Sequence, residues 1–149
     1  MSAKKAECVS REGGLLRRAG VRVTRKRKLV LAAVLDAGCA VPPGALLDEG
    51  GIVEAMDRAT LYRILDLLAE KGLVAKTLGP DRTFRYCAGG GLPQGEIHSH
   101  FFCLRCGLMR CLPAAALTLD ESLLPKAAAV GHVEVRVDGV CGPCRDAGK

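Results

Sequence analysis

Two Cys-x-x-Cys turns, Cys103-Leu-Arg-Cys106 and Cys141-Gly-Pro-Cys144, constrain this chain more than any other feature. Each turn presents two thiolates at about the separation that one metal ion needs. A structural zinc takes four such soft ligands in a tetrahedron. The two turns are too far apart in sequence for a compact ribbon, so one ion must gather the ends of a whole small domain. Residues 97–149 are therefore expected to close around a four-cysteine clip made by Cys103, Cys106, Cys141 and Cys144, with one structural zinc per chain. Two unrelated redox or thiol pairs are the alternative. The chain has eight cysteines in 149 residues, and Met1 to Gly20 has basic residues but no apolar stretch of the kind a secretory signal carries. Clustered cysteines in such a chain point to metal ligation before a disulfide framework. A cytoplasmic location is expected, and no apolar run approaches the roughly 20 residues of a membrane span.

A second group of ligand-type residues precedes the first turn. His98-Ser-His100 holds two of the three histidines of the chain. Alternation along a strand puts both imidazoles on one face, which is a chelating arrangement. With Cys87 and Cys111 they make a candidate regulatory site of two nitrogens and two sulfurs, a donor set that favours zinc over manganese or ferrous iron. The ordinary alternative is that each cysteine is a small buried apolar residue and that the histidines need no partner. Cys8, Cys39 and His132 receive no role.

Charge divides the chain. Residues 1–86 hold sixteen Lys and Arg against ten Asp and Glu, whereas residues 87–149 hold six of each. All of the net +6 thus lies in the first part, as expected of a half that meets a polyanion. The apolar pattern there reads as helix, helix, helix, hairpin over residues 13–87, the order of a winged helix-turn-helix. Thr24 is a plausible N-cap before Leu29, Val30, Ala33, Val34 and Leu35, and Gly38 ends that helix. Pro42-Pro43-Gly44 opens a short element. Asp57 caps a further helix whose Leu61, Leu65 and Leu68 form one stripe, with Gly72 at its C-terminus. Leu73 to Leu78 and Thr83 to Cys87 read as strands about a Gly79-Pro80-Asp81 turn.

On this arrangement Arg58, Thr60, Tyr62 and Arg63 occupy the start of a recognition helix, where side chains reach base edges in a major groove. Arg17, Arg18, Arg22, Arg25 and Lys28 suit phosphates or a narrow minor groove, and Arg27 belongs to the same basic run. A solvated helix face is the plainer account of such charges.

Residues 1–12 are polar and expected to be disordered, and the Gly-rich residues 88–96 are expected to be a hinge linker. The remainder, 97–149, is expected to hold strands over Ile97 to Leu104 and Leu108 to Leu112, an Ala/Leu-rich helix over Pro113 to Val130 with an interruption at Pro125, and a strand over His132 to Val137. The fold class is α+β: a winged helix-turn-helix, residues 1–87, followed by a small α/β dimerisation domain with the zinc clip. No nucleophile–base constellation and no phosphate-cradling loop stands out, so an enzyme is not expected.

Taken in order, these stretches resemble the ferric uptake regulator family of bacterial metalloregulators. The likeness rests on Gly20-Val-Arg22-Val-Thr24-Arg-Lys-Arg27, Ala59-Thr-Leu-Tyr62-Arg63-Ile-Leu65, Glu70-Lys-Gly72-Leu-Val74, His98-Ser-His100-Phe-Phe-Cys103-Leu-Arg-Cys106-Gly107 and Gly139-Val-Cys141-Gly-Pro-Cys144. It spans roughly residues 18 to 145. It implies a homodimer that binds AT-rich palindromic double-stranded operators when metal-loaded and represses metal-uptake genes. It also implies Tyr62 and Arg63 on the recognition helix, Arg22 in a minor groove, structural zinc on the four cysteines, and sensing-site histidines at His98 and His100. Cys87 matches a cysteine that zinc-sensing members carry, and Cys111 stands where relatives often have an acidic ligand, so the chain is most similar to a zinc uptake regulator. An iron, manganese or peroxide sensor on the same scaffold is the near alternative, and a CxxC redox or metal-carrier protein without an operator is the distant one. Three departures bear on the sensing site: Ala75 stands where zinc-sensing relatives offer an Asp or His, the linker before His98 is longer than usual, and the His-rich run is thinned to two.

Overall fold

A computed structural model describes residues 10–48, 51–88, 98–131 and 133–148. The chain forms two compact units, one within Met1–Gly91 and the other within Leu92–Lys149. Cys8, His132 and residues 89–96 of the expected hinge lie outside the described residues. Among the described residues no helix is long and apolar enough to cross a membrane.

The first unit opens with α1, Arg11–Arg18. The sequence reading placed residues 11 and 12 in a disordered tail, and the structure corrects this. Ser10 accepts a hydrogen bond from the Gly13 amide and so caps the helix, while Leu16 is fully buried beneath it. The chain then leaves α1 through Gly20, whose φ of 73° permits the Val21 amide to reach Leu16 O at 2.8 Å. Helix α2, Arg25–Asp36, starts at Thr24, whose hydroxyl accepts from the Arg27 amide, and buries Val30, Leu31 and Val34. Two short helices follow, α3 over Pro43–Leu47 and α4 over Ile52–Ala55.

Helix α5, Arg58–Glu70, is set as its sequence dictates. The Asp57 carboxylate takes the Thr60 amide at 2.9 Å, and Leu61, Ile64, Leu65 and Leu68 form the buried face. At its end Gly72 adopts a φ of 73°, and the amides of Gly72 and Leu73 return to Ala69 O and Leu68 O, the bonding of a Schellman turn. The chain then runs into a two-stranded antiparallel hairpin, β1 Ala75–Leu78 and β2 Phe84–Cys87, with Ala75 opposite Cys87 and Leu78 opposite Phe84. Val41 bridges Tyr86, which joins the hairpin to the segment before α3. Leu16, Val30, Leu31, Val34, Leu46, Ile52, Leu61, Leu65, Leu68 and Tyr86 make one buried cluster. Three long helices, two short ones and a hairpin around one core make the winged helix-turn-helix that the apolar spacing implied.

The second unit is a three-stranded sheet ordered β4-β3-β5, with β3 at His98–Cys103, β4 at Met109–Cys111 and β5 at Glu134–Gly139. β3 pairs antiparallel with β4 and parallel with β5. A final helix, α6, runs over Gly142–Ala147. The Ala/Leu-rich helix expected over Pro113 to Val130 does not form. That stretch has only 3-10 turns at Ala114–Ala116 and Glu121–Leu123. The reason is local. Pro125 excludes Leu124 from helical backbone, and Leu124 sits at φ −74°, ψ 161°. Leu117 is extended as well, and Leu123 is 83% exposed, so no buried apolar stripe stabilises a helix too short to stand alone.

Candidate metal centre and nucleic-acid interface

The register of the second unit brings the two CxxC turns together. Cys103 ends β3 opposite Gly139 of the parallel strand β5, and the Leu104 amide extends the pairing to Gly139 O at 2.7 Å. Residues 140 and 141 therefore emerge beside the first turn. Gly139 lets the Phe101 ring pack closely there: a Cβ at that position would lie 3.0 Å from the ring, which would have to shift. The first turn is closed by Gly107, at φ 75°, whose amide donates to Cys103 O at 2.9 Å. The second is placed by the start of α6, with Cys141 at its N-cap and Pro143 in its first turn.

As a result the sulfurs of Cys103, Cys106, Cys141 and Cys144 all lie within 4.8 Å of one another. Cys106 Sγ and Cys141 Sγ, from different turns, are 3.8 Å apart. The Cys141 amide donates to Cys103 Sγ at 3.3 Å. Backbone N–H groups of Cys106 first, then of Cys141 and Arg105, aim at the Cys103 sulfur and bring its thiol down to about 6. Cys144 moves the other way, up to about 12, because it shares a proton with the neighbouring sulfurs of Cys141 and then Cys106. Four sulfurs, backbone donors on one of them and proton sharing among the rest make a donor set that fits a tetrahedral thiophilic cation.

On the other face of β3, His98 Nε2 and His100 Nε2 approach to 2.9 Å, one ring nitrogen donating to the other. Cys111 is directly across β4 from His100, and the ligand atoms of His98, His100 and Cys111 also lie within 4.8 Å of one another. In the first unit Cys87 ends β2, where its cross-strand partner is Ala75, a residue with no ligand atom to offer.

The expected nucleic-acid residues lie on exposed parts of the first unit. Arg58, Tyr62 and Arg63 are exposed on the first turns of α5, and Thr60 is half-buried beside its cap. Arg22 is exposed before α2. Arg27 gives one donor to Arg22 O at 2.8 Å, which fixes the loop into α2. Cys39 is half-buried in the turn after α2 and joins neither cluster.

Sequence reasoning missed Asp66. One of its oxygens accepts from the Tyr86 hydroxyl and from Lys76 Nζ, both at 2.9 Å, so α5 is tied to both strands of the hairpin. The Lys76 ammonium also sits 4.3 Å above the Phe84 ring. In the wing itself Arg85, with a side chain only 6% exposed, makes a two-pronged pair with Asp81 at 2.9 and 2.7 Å. Alternation in β2 gave no sign that an arginine would be buried there.

No family model and no curated relative matches the chain. Solved structures do. A zinc uptake regulator complexed with zinc and DNA is 24% identical, with a TM-score of 0.64 over 97% of this chain and 93% of that one. The ferric uptake regulator of Helicobacter pylori, described with three metal-binding sites, is 17% identical, with a TM-score of 0.65 over 89% and 87%. A structure of holo XcZur is 29% identical, with a TM-score of 0.53 over 89% and 96%. The chain therefore has the fold of a two-unit winged-helix regulator. Specifically, the fold is that of the ferric uptake regulator family, as the resemblance of its motifs implied.

Proposed function

We propose that the chain is a metal-dependent, DNA-binding transcriptional repressor of this family, responsive to zinc, acting as a homodimer on AT-rich palindromic operators of metal-uptake genes. The observation that carries the reading is the meeting of four thiols from two distant CxxC turns in a unit that follows a winged helix. A redox or carrier protein needs neither the winged helix nor exposed Arg58, Tyr62 and Arg63 on its third long helix.

Cys103, Cys106, Cys141 and Cys144 would hold a structural zinc, which supplies cross-linking and no reaction chemistry. His98, His100 and Cys111, with Cys87 of the first unit, would hold the sensed ion. Cys111, across from His100, would supply the ligand that Ala75, across from Cys87, does not offer. Two thiolates with two imidazoles select zinc over manganese and iron. Sharing that ion between Cys87 and the second unit would restrict the linker at 88–96, so metal and operator would raise each other's affinity by the same factor. Leu104, Leu119, Leu123, Val130 and Val137 of the second unit are exposed, apolar surface that a second copy would cover. Residues 1–87 and 97–149 would be the two working domains.

The test is fluorescence anisotropy on an AT-rich palindromic duplex with and without zinc. The wild type should bind more tightly with zinc, Cys87→Ser should lose that gain, and Tyr62→Ala/Arg63→Ala should lose DNA binding while keeping its zinc. An unchanged zinc response in Cys87→Ser refutes the shared ion. Unchanged DNA binding in the double variant refutes the recognition helix.

A further inference from the structure

The first CxxC turn reaches across to the second with more than sulfur. Arg105, the third residue of Cys103-Leu-Arg-Cys106, donates from its guanidinium to the backbone carbonyl of Cys144 at 2.8 Å. That carbonyl belongs to the last turn of α6, where intrahelical partners run out. The amide that would normally serve it, that of Gly148, turns to Arg145 O instead, at 3.2 Å. Arg105 thus takes the place of the missing helical hydrogen bond, with a positive charge at the negative end of the helix. The space is made by Gly148: a Cβ there would collide with the guanidinium.

We propose that Arg105 is the positioning residue of the zinc clip, a latch that holds the Cys141–Cys144 turn against the Cys103–Cys106 turn. This rests on the four-thiol zinc reading above and goes beyond it. Three consequences follow from the geometry. The carbonyl that Arg105 grips is that of a ligand residue, so the grip restrains Cys144 directly. Arg105 itself lies between Cys103 and Cys106 in the first turn, so one residue spans both turns. Four thiolates on one divalent ion carry excess negative charge, and a fixed guanidinium one residue from Cys106 offsets part of it. Loss of the latch should leave four ligands able to bind, but should let the second turn swing away.

The experiment is zinc release from the full-length zinc-loaded protein into excess chromogenic chelator, alongside the absorption spectrum of the cobalt-substituted form. Arg105→Gln should release clip zinc roughly ten- to a hundredfold faster, the range that corresponds to losing one hydrogen bond from a charged donor. Its cobalt spectrum should keep four-thiolate character, which a merely unfolded clip would lose. Arg105→Lys should release at an intermediate rate. Gly148→Ala, which keeps Arg105 but fills its space, should also accelerate release. Wild-type rates in Arg105→Gln or in Gly148→Ala overturn the latch. A wild-type protein with no zinc on the four cysteines overturns the zinc reading itself, and the two failures are distinguishable.

Discussion

Removing the Tyr86 hydroxyl tests the tie between recognition helix and wing. Tyr86 is 1% exposed and donates to Asp66, whose own side chain is 56% exposed. A hydrogen bond to a charged acceptor contributes roughly 1.5–3 kcal/mol, but water can replace the lost donor at so open a carboxylate. Tyr86→Phe should therefore cost about 1–1.5 kcal/mol, the lower end of that range. Asp66→Ala is expected to cost about 2 kcal/mol, because it leaves a buried phenol without its acceptor. The Lys76 pair it also removes is exposed and adds less than about 1 kcal/mol. Lys76 first and Tyr86 second hold the Asp66 carboxyl below its ordinary 3.8. With a depressed folded value, the contribution is complete above that ordinary value and is lost as pH falls through the folded one. The assay is urea unfolding of the full-length protein by far-ultraviolet circular dichroism at pH 7 and at stepwise lower pH. Tyr86→Phe should shift the helical transition at neutral pH and show a shallower acid loss below about pH 4. A shift within about 0.3 kcal/mol, or simple additivity with Asp66→Ala, refutes the tie.

Asp81→Asn should destabilise the wing by about 1–2 kcal/mol, because it removes the charged half of the two-pronged pair with buried Arg85, with solvent at Asp81 and the remaining bond to Thr83 O keeping the loss below that of a fully buried pair. Faster amide exchange at Lys76 to Leu78 with unchanged exchange in α2 would confirm it, and unchanged exchange throughout would refute it. Cys103→Ser should abolish tight zinc binding and open the second unit to proteolysis while α5 keeps its helicity. Protection equal to wild type would show that the clip does not hold the sheet. Zinc loading of the stripped protein at neutral pH should release protons from the four-thiol cluster, since thiolates and not thiols ligate the ion. Zinc uptake without proton release would contradict thiolate ligation by the cluster.

The parts of the fold legible in the sequence were those with a short-range cause. Asp57 capping Thr60, the leucine stripe of α5 and the Gly72 turn are each set within a few residues, and all formed as read. Helix α1 was not legible because its first residues read as the end of a polar tail. Gly13 is in fact buried at the capped end, where a Cβ would stand 3.2 Å from Ser10 Oγ. The opposite error is the helix over Pro113 to Val130: Pro125 marks an interruption, but alanine and leucine content does not reveal that no apolar stripe there is buried. Of the candidate site, the thiol cluster was readable because CxxC spacing fixes each pair. The crossing that joins the pairs depends on the parallel register of β3 with β5, which no local pattern shows. Arg105 and Asp66 were passed over for the same reason: their partners, Cys144 and Tyr86, are distant in sequence.

Zinc content per chain in anaerobically purified protein, before and after mild chelation, tests the account most directly. Two zinc ions falling to one, with the remaining ion lost in Cys103→Ser, is the predicted result: a tight four-thiolate clip beside a releasable sensing site. A protein that holds no chelator-resistant zinc, or whose resistant zinc survives Cys103→Ser, would contradict it.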